Sequence, residues 1–422
     1  MKKNVLVIGG GGREHAIVHA LSKSEGVGKL YCIPGNAGIA SLAECHGEIK
    51  ATELEKIVAF VEAHKDIALT VVAPDDPLAM GLVNRLEEKG HRAFGPRKEA
   101  AIIESSKVFS KNLMKKYGIA TAAYEVFDSY ERAAAYLKTC AVPVVLKADG
   151  LALGKGVLIC NTREEAEAGL KEIMLDRAFG DAGAKIVIEE FLQGFEVSVL
   201  AFTDGKTLLP MASSQDHKRA LDGDKGLNTG GMGTFSPHAR FTPALEQEAY
   251  EKIFLPTVRA MEQEGRTFQG VLYFGLMVTE QGIKVLEYNA RFGDPETQVI
   301  LPRLKTDLLA VFEACIDGTL DTISLEWDER AAVCVVAASG GYPLKYEKGK
   351  PVTFGKIDEG VLVFHAGTSK NDKGETVTSG GRVLGVTALG ETLSAAKKTA
   401  YENIAEIHFD GMFYRKDIAK DY

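Results

Sequence analysis

The chain has 422 residues, of which 45% are hydrophobic and 26% charged, and its formal net charge at pH 7 is -8. A chain of this length and ordinary soluble composition is expected to form about three domains. The acidic balance argues against nucleic acid or an anionic membrane as a partner, because both attract clustered Lys and Arg side chains.

Cysteine usage and the first residues indicate where the chain works. The six cysteines are scattered without a CxxC pair, and several lie in apolar runs where a reduced thiol packs as a small hydrophobe. The opening segment, MKKNVLVIGGGG, has too short an apolar run for a secretory signal, and no stretch is long and apolar enough to span a membrane. We therefore expect a cytoplasmic protein without disulfides.

Residues 1 to 102 alternate short apolar runs with helical patterns, which predicts a doubly wound parallel sheet. The glycine run at 9 to 12 follows the first strand, but Glu14 stands where a dinucleotide fingerprint needs its third glycine. A second loop, PGNAG, follows the second strand. Free N-H groups at the first helix, beside this loop, would suit a phosphate. Glycines that only form tight turns are an equally open interpretation.

A second unit follows, in which residues 123 to 188 form a small αβ subdomain. Its loop ADGLALGKG lies between two predicted strands, with Lys147 just before the loop and Lys155 inside it. Glycines let backbone N-H groups approach an anion closely, so we predict a mobile phosphate cover. A hairpin whose lysines face solvent is the alternative. No GxxxxGK[ST] loop is present.

The segment IVIEEFLQGFEVSV predicts two strands joined by a short kink. Apolar side chains beside free backbone groups suit an adenine, and Glu196 could bind ribose hydroxyls. A plain connection between strands is the alternative.

Residues 213 to 236 are polar and glycine-rich, a pattern typical of a long loop that is either disordered or a functional lid. Within them, Asp216, His217, Lys218 and Arg219 place both charge signs at one point, which suits a zwitterionic or phosphorylated substrate.

The stretch LEYNARFGDPETQ, residues 286 to 298, begins as a strand. Strand alternation places Glu287, Asn289 and Arg291 on one face, and Leu286 with Tyr288 on the other. A carboxylate and an amide oxygen on one face can bind Mg²⁺, which prefers oxygen ligands and phosphates, and Arg291 would meet an anion nearby. A solvated strand face is the alternative. The strand-rich residues 327 to 422 read as a capping domain, in which GGYP is a turn with little chemistry.

Taken in chain order, these features resemble the ATP-grasp ligases. The motifs VIGGGGREHA, PGNAG, SQDHKR, NTGGMG, EYNARFGDPETQ and GGYP resemble the phosphoribosylamine-glycine ligase family over essentially the whole chain, and RFGDPETQ is the most specific of them. The resemblance implies an α/β protein with an ATP-grasp fold, preceded by a doubly wound parallel-sheet domain and followed by a small strand-rich capping domain. The expected boundaries are 1-102, 103-326 with a mobile lid at about 123-188, and 327-422.

The resemblance implies an ATP-dependent carbon-nitrogen ligase of purine biosynthesis. Such an enzyme joins glycine to 5-phospho-β-D-ribosylamine through a glycyl phosphate and releases ADP and phosphate. We expect ATP and Mg²⁺ (or Mn²⁺) as cofactors, small molecules as the only partners, and a monomer. Two alternatives stay open, namely another ATP-grasp carboxylate-amine ligase and a nucleotide-binding regulator without catalysis.

The resemblance also implies roles for individual residues. The metal ligands are Glu287 and Asn289, and the catalytic residues are Arg291, Lys147 and Asp216. ATP is bound by Lys107, Lys147, Gly154, Lys155, Gly156, Glu189, Glu190, Phe191, Leu192 and Glu196. The substrates are bound by Gly10, Gly11, Gly12, Asn36, Gly38, Asp216, Lys218, Arg291 and Asp294. Many ATP-grasp enzymes carry a second carboxylate on the strand before the last, but here that strand reads GVLYFGLMV, so the number of metal ions stays open.

Overall fold

The computed structural model describes residues 2-151 and 156-420. Its N-terminal part is a parallel sheet with strand order β3-β2-β1-β4-β5, which confirms the predicted doubly wound fold. The first strand is continuously apolar because helices cover both faces of such a sheet. The elements are β1 (Lys3–Gly9), α1 (Gly12–Ser22), β2 (Val27–Pro34), β3 (Glu44–Cys45), α2 (Leu54–Ala63), β4 (Ile67–Val72), α3 (Asp75–Met80), α4 (Leu82–Glu88) and β5 (Ala93–Phe94).

Two helices lead from this sheet into a second, antiparallel sheet with strand order β6-β9-β7-β8. The second sheet and its two helices share a separate apolar core, in which Leu146, Leu170 and Ile188 are buried. The elements are α5 (Lys98–Ser105), α6 (Lys107–Tyr117), β6 (Tyr124–Phe127), α7 (Tyr130–Leu137), β7 (Val144–Ala148), β8 (Val157–Cys160), α8 (Arg163–Met174) and β9 (Ile186–Glu190).

The next part of the chain forms an antiparallel sheet with order β11-β10-β16-β17, backed by helices. Strand β17 ends at Asn289, so the predicted metal ligands lie at its end. The elements are β10 (Phe195–Thr203), β11 (Leu208–Pro210), β12 (Gln215–Asp216), β13 (Arg219–Leu221), β14 (Lys225–Asn228), β15 (Gly233–Ser236), α9 (Pro243–Ala249), α10 (Leu255–Gln263), β16 (Gly270–Thr279), β17 (Gly282–Asn289), α11 (Thr297–Ile300) and α12 (Leu308–Asp317).

The last part is strand-rich, as predicted, with α13 packed on its main sheet. The elements are β18 (Ala331–Ser339), β19 (Thr353–Phe354), β20 (Leu362–His365), β21 (Thr368–Lys370), β22 (Thr376–Thr378), β23 (Arg382–Gly390), α13 (Leu393–Ile404), β24 (Ile407–His408) and β25 (Met412–Phe413). None of the described helices is both long and apolar enough to cross a membrane.

The interpretation of residues 213 to 236 as one long loop is wrong. Strands β12 and β15 belong to the main C-terminal sheet, whose order is β12-β15-β18-β23-β20, and β13 pairs with β14 as a hairpin. The polar composition hid these strands because each is only two to four residues long. As a result, the segment that carries Asp216 and Lys218 is hydrogen-bonded to the main sheet of the C-terminal domain.

Candidate active site

Two cavities share a wall where the N-terminal, central and C-terminal parts meet. The larger cavity, of about 1240 Å³, lies between strand β17 and the separate αβ unit, which consists of the sheet β6-β9-β7-β8 and its two helices. The smaller, of about 350 Å³, lies at the carboxyl ends of β1 and β2. Asp294, Tyr342 and Arg382 line both cavities. Groups bound in the two cavities would therefore meet at these three side chains.

The apolar end of the large cavity is lined by Leu192, Met277 and Leu286, which form one small cluster with Ala122. Strands β9 and β10 run into and out of it, as the sequence predicts, and Phe191 is partly exposed at the turn between them. Such a slot suits a flat heterocycle that packs on aliphatic side chains.

The predicted faces of β17 are wrong at Leu286. Opposite β16, Glu287 pairs with Gly275 and Val285 pairs with Leu276, so Leu286 is an unpaired extra residue, a β-bulge. A bulge breaks the alternation of faces. Leu286 and Glu287 therefore both line the large cavity, and Tyr288 also borders it while it packs in the main core. The end of β17 therefore lines both the apolar slot and the polar site beside it.

The polar part of the large cavity brings the predicted lysines together. Lys107 donates a hydrogen bond to the Gly150 carbonyl (2.9 Å), and burial lowers the pKa of Lys107. Lys147 donates to the Leu286 carbonyl (3.0 Å). Gly156 lines the same cavity, whereas Gly154 and Lys155 lie outside the described residues. These cations lie where an anion beyond the apolar slot would be bound.

Lys218 joins two of the predicted acidic ligands. Its Nζ lies 3.1 Å from Glu287 Oε1 and 3.9 Å from Glu196 Oε2. Lys218 lowers the pKa of Glu287 to about 2, although burial opposes this change. The carboxylate is therefore ionised at neutral pH and already attracts a cation.

The donor atoms at the end of β17 fit a hard cation. Glu287 supplies carboxylate oxygens, and Asn289 supplies Oδ1, which accepts a hydrogen bond from Arg291 Nη2 (3.2 Å). No group of three or more His, Cys, Asp or Glu side chains with metal-binding geometry occurs in the described part of the chain. Two protein oxygens with the remaining ligands from phosphate and water are the usual arrangement for Mg²⁺.

Arg291 is held inside the protein by Glu104. Its Nη2 lies 2.8 Å from Glu104 Oε1, and its buried Nε has no hydrogen-bond partner within the described residues. Burial opposes protonation, but Glu104 and Asp75 raise the pKa of Arg291 above its ordinary value. Glu104 was not predicted from the sequence, because a helical carboxylate 187 residues earlier gives no local signal. The unpartnered Nε is a donor that remains available to an anionic ligand.

A second polar cluster surrounds Asp216. Glu296 accepts a hydrogen bond from the Tyr273 hydroxyl (3.1 Å) and lies 3.3 Å from Ser198 Oγ. Burial and the nearby Glu296 raise the pKa of Asp216 well above its ordinary value, and Asp216 Oδ1 has no hydrogen-bond partner within the described residues. A cation bound beside these two acidic groups would favour the ionised form of Asp216, so the pair with its unpartnered oxygen suits an ammonium group.

The expectation of free N-H groups at the first helix is wrong. The Gly11 N-H donates to Glu14 Oε2 (2.6 Å), so this carboxylate caps α1 from within. The Arg13 N-H lies 3.5 Å from Asp294 Oδ2. With two carboxylates at this helix end, the site is better suited to hydroxyl groups than to a phosphate.

The predicted substrate residues of the small cavity divide into two groups. Gly10, Gly11 and Asn36 line it, whereas Gly12 and Gly38 do not. A Cβ on Gly12 would lie 2.5 Å from the side chain of Gln298, and one on Gly38 would lie 2.5 Å from both His15 and His365. The latter two glycines therefore allow close packing.

Asn36 itself holds the loop together. Its Nδ2 donates to the carbonyls of Gly10 (2.9 Å) and His365 (2.8 Å), and its Oδ1 accepts from two backbone N-H groups. Its side-chain atoms are therefore engaged within the protein.

The reading of GGYP as a turn with little chemistry is wrong, because the C-terminal domain completes both cavities. Arg382 Nη1 donates to the carbonyls of Gly230 (2.6 Å) and Asp294 (2.8 Å), and the Tyr342 hydroxyl accepts from the Gly230 N-H (3.1 Å). Thr368 and Ser379 also line the small cavity.

A sequence signal for these residues existed. Tyr342 and Arg382 each follow a Ser-Gly-Gly triplet, at 339 to 341 and 379 to 381. A Cβ on Gly381 would lie 2.2 Å from the Tyr342 ring. Because Gly381 has no side chain, the Tyr342 ring can lie against the backbone there. This packing brings the side chains of Tyr342 and Arg382 to the shared wall.

Three family models match consecutive parts of the chain. The phosphoribosylglycinamide synthetase N domain matches residues 3–104, the ATP-grasp (A) domain matches residues 105–297, and the C domain matches residues 332–421. Together the three models cover more than half of the chain.

Individual proteins are similar over nearly the full length. The phosphoribosylamine--glycine ligase of Halalkalibacterium halodurans is 50% identical, over 98% of this chain and 96% of that protein. The enzyme of the same name from Caldanaerobacter subterraneus is 50% identical, over 99% and 100%. The crystal structure of phosphoribosylamine--glycine ligase from Thermotoga maritima superposes with a TM-score of 0.86 at 38% identity, covering 98% of this chain and 100% of that one.

Proposed function

The chain belongs to the phosphoribosylglycinamide synthetase family, and on this premise we propose that its two cavities perform the ATP-dependent ligation of glycine to phosphoribosylamine. A carboxylate is a poor electrophile, so ATP first converts glycine to an acyl phosphate, which the amine then attacks. The work of the protein is to position the reactants and to neutralise charge.

ATP occupies the large cavity in this proposal. Its adenine lies in the slot of Leu192, Met277 and Leu286, and Glu196 meets the ribose. Lys107 and Lys147 bind the phosphates. Glu287 and Asn289 would hold Mg²⁺ (or Mn²⁺), which neutralises phosphate charge when bound. Lys218, which pairs with Glu287 in the structure, would be free to bind a phosphate if Glu287 held a metal ion.

Glycine lies beside the phosphates. The unpartnered Nε of Arg291 binds its carboxylate, and the buried carboxylates of Asp216 and Glu296 bind its ammonium group. Arg291 keeps its charge, since Glu104 and Asp75 raise its pKa. With opposite charges at its two ends, the site favours a zwitterion. Tyr273, hydrogen-bonded to Glu296, closes it on one side.

Phosphoribosylamine occupies the small cavity. Asp294 accepts hydrogen bonds from ribose hydroxyls near Gly10 and Gly11, while Thr368 and Ser379 face the phosphate end. The amine points across the wall formed by Asp294, Tyr342 and Arg382. This shared wall is the observation that carries the proposal, because a ligase must bring a nucleophile from one site to an electrophile in another.

Omission of each substrate in turn tests this function. We expect the purified protein to release ADP at a substantial rate only with ATP, Mg²⁺, glycine and phosphoribosylamine together, with one amide formed per ADP. Glycine-independent turnover, or replacement of glycine by another acid, would indicate a different ATP-grasp ligase. Binding of ATP without any turnover would indicate a regulator. The cytoplasmic location and the monomeric state remain predictions from the sequence.

A further inference from the structure

A buried cluster of three charged side chains joins the separate αβ unit to the rest of the protein. Glu189 of β9 lies between two lysines, with Oε1 3.2 Å from Lys111 Nζ and Oε2 3.0 Å from Lys147 Nζ. The three side chains are each less than one tenth exposed. Glu189 was predicted to bind ATP, but its carboxylate is engaged by the two ammonium groups.

Lys111 is the member of this cluster that belongs to the body of the protein. It lies on α6 and donates a hydrogen bond to Thr121 Oγ1 (2.7 Å), which in turn donates to the Val285 carbonyl (2.7 Å). Its Nζ also lies 5.5 Å from the centre of the Tyr124 ring, on the first strand of the αβ unit. Lys111 therefore connects β17 of the central sheet with strands β6 and β9 of the αβ unit.

The charges of the cluster do not balance. One carboxylate faces two ammonium groups, and the other carboxylates that act on these lysines, Glu190 and Glu287, are themselves paired with Lys284 and Lys218. The three-residue cluster therefore carries one excess positive charge. Such an excess is unfavourable until an anion arrives. Burial lowers the pKa of Lys111 to about 8, although Glu189 opposes this change. Of the two lysines, Lys147 is the one nearer the polar part of the cavity, where it reaches the Leu286 carbonyl.

We propose that Lys111 is a positioning residue for ATP: by sharing Glu189, it prevents this carboxylate from neutralising Lys147 and holds Lys147 towards the phosphates. Without Lys111, Glu189 would pair with Lys147 alone, and the favourable charge of the phosphate site would be lost. This inference rests on the nucleotide site proposed above. Lys111 also lines the large cavity, but its Nζ faces Glu189 and Thr121, so the proposed role is exerted through Glu189.

Substitution of Lys111 by Met tests the inference, with Lys115→Met, on an exposed position of the same helix, as the control. We expect Lys111→Met to raise both the KM for ATP and the Kd of a non-hydrolysable ATP analogue by about tenfold, with kcat changed less than about twofold at saturating ATP. A KM and Kd within about twofold of those of the unmodified protein would overturn the proposal.

A double-mutant cycle with Glu189→Gln separates positioning from a general effect of charge. If Lys111 acts through Glu189, Lys111→Met should have little effect on ATP binding in the Glu189→Gln background. If Lys111 only adds positive charge, the same fold-change should appear in both backgrounds, and the proposal would be wrong.

Two further measurements keep the test decisive. If Lys111→Met does not fold, Thr121→Val removes the hydroxyl that holds Lys111 and should raise the KM for ATP in the same direction, while no change would contradict the proposal. The unmodified protein is assayed in parallel for release of ADP that depends on glycine and phosphoribosylamine. Its failure would reject the proposed function, whereas normal turnover with an unaffected Lys111 variant would reject only this inference.

Discussion

Arg382 Nη1 lies 3.3 Å from Asp294 Oδ1 and donates to the Asp294 carbonyl at 2.8 Å, so a C-terminal residue holds the aspartate of the RFGDPETQ motif in place. The same nitrogen holds the glycine-rich turn at Gly230. Because both cavities end at this contact, it determines where the amine and the acyl group would meet.

Arg382→Gln should uncouple the reaction. Without the guanidinium, Asp294 and the glycine-rich turn at Gly230 lose the hydrogen-bond donor that they share. The amine is then positioned less well for attack on the acyl phosphate, and water can hydrolyse the acyl phosphate instead. We expect ADP release to continue while the ratio of ADP to amide rises from one to well above one. Arg330→Gln, which removes an exposed arginine paired with Asp328, is the control and should keep the ratio at one.

Glu287→Gln should preserve the fold but remove most of the activity. The amide lacks the charge that a metal ion at the ATP phosphates requires, and it also releases Lys218 from its ion pair. We expect kcat to fall by about a hundredfold or more, as measured by ADP release at saturating Mg²⁺. Glu280→Gln, at the exposed turn before β17, should have no effect. Unchanged turnover in Glu287→Gln would exclude this carboxylate as a ligand.

Asp216→Asn should stabilise the protein while it weakens glycine binding. Because burial and Glu296 raise the folded-state pKa of Asp216 above its unfolded value, stability is lost as the pH rises through the folded-state pKa. The neutral amide does not ionise, so the variant should have a higher free energy of unfolding than the unmodified protein at pH 8.

Denaturant unfolding at pH 5 and pH 8 measures this gain, which should be larger at pH 8. The KM for glycine should rise in the same variant, since one of the two carboxylates for the ammonium group is lost. A variant less stable than the unmodified protein at pH 8 would contradict a raised pKa of Asp216 in the folded protein.

Gly11→Val should weaken phosphoribosylamine binding and spare ATP binding. A Cβ at this position would lie 2.8 Å from Glu14 Oε2 and 3.3 Å from Asp294 Oδ2, so the larger side chain displaces both carboxylates at the small cavity. We expect the KM for phosphoribosylamine to rise roughly tenfold or more. Gly47→Val is the control, because a Cβ there meets only the Pro34 carbonyl, at 4.0 Å. A loss of ATP affinity instead would mean that the two cavities are assigned the wrong way round.

Isotope labelling tests the acyl phosphate directly. If the glycine carboxylate attacks the γ-phosphate of ATP, one carboxylate oxygen leaves with phosphate when the amine displaces it. Glycine labelled with ¹⁸O in its carboxylate should therefore yield one labelled oxygen per phosphate, only with all substrates present. Unlabelled phosphate that accompanies amide formation would exclude this intermediate and the role of Arg291.

Much of the fold follows from local patterns. The helix at Lys107–Tyr117 begins after Ser106, whose side chain accepts from the Phe109 N-H, and ends at Gly118, where φ is 68°. Short-range capping of this kind is readable in a sequence. Strand β15 was not readable, because its partner β18 lies about 100 residues further along the chain.

The sequence by itself determined the family resemblance, the parallel sheet, the two strands joined by a short kink in IVIEEFLQGFEVSV, and the residue types that suit ATP and a metal ion. These depend on period, glycine placement and motif spacing, which are local properties. Only the tertiary structure decided that Leu286 turns into the cavity, that Glu14 closes the first helix, that Glu104 holds Arg291, and that Arg382 completes the wall. Each of these depends on a bulge set by a neighbouring strand or on side chains brought together across distant parts of the chain.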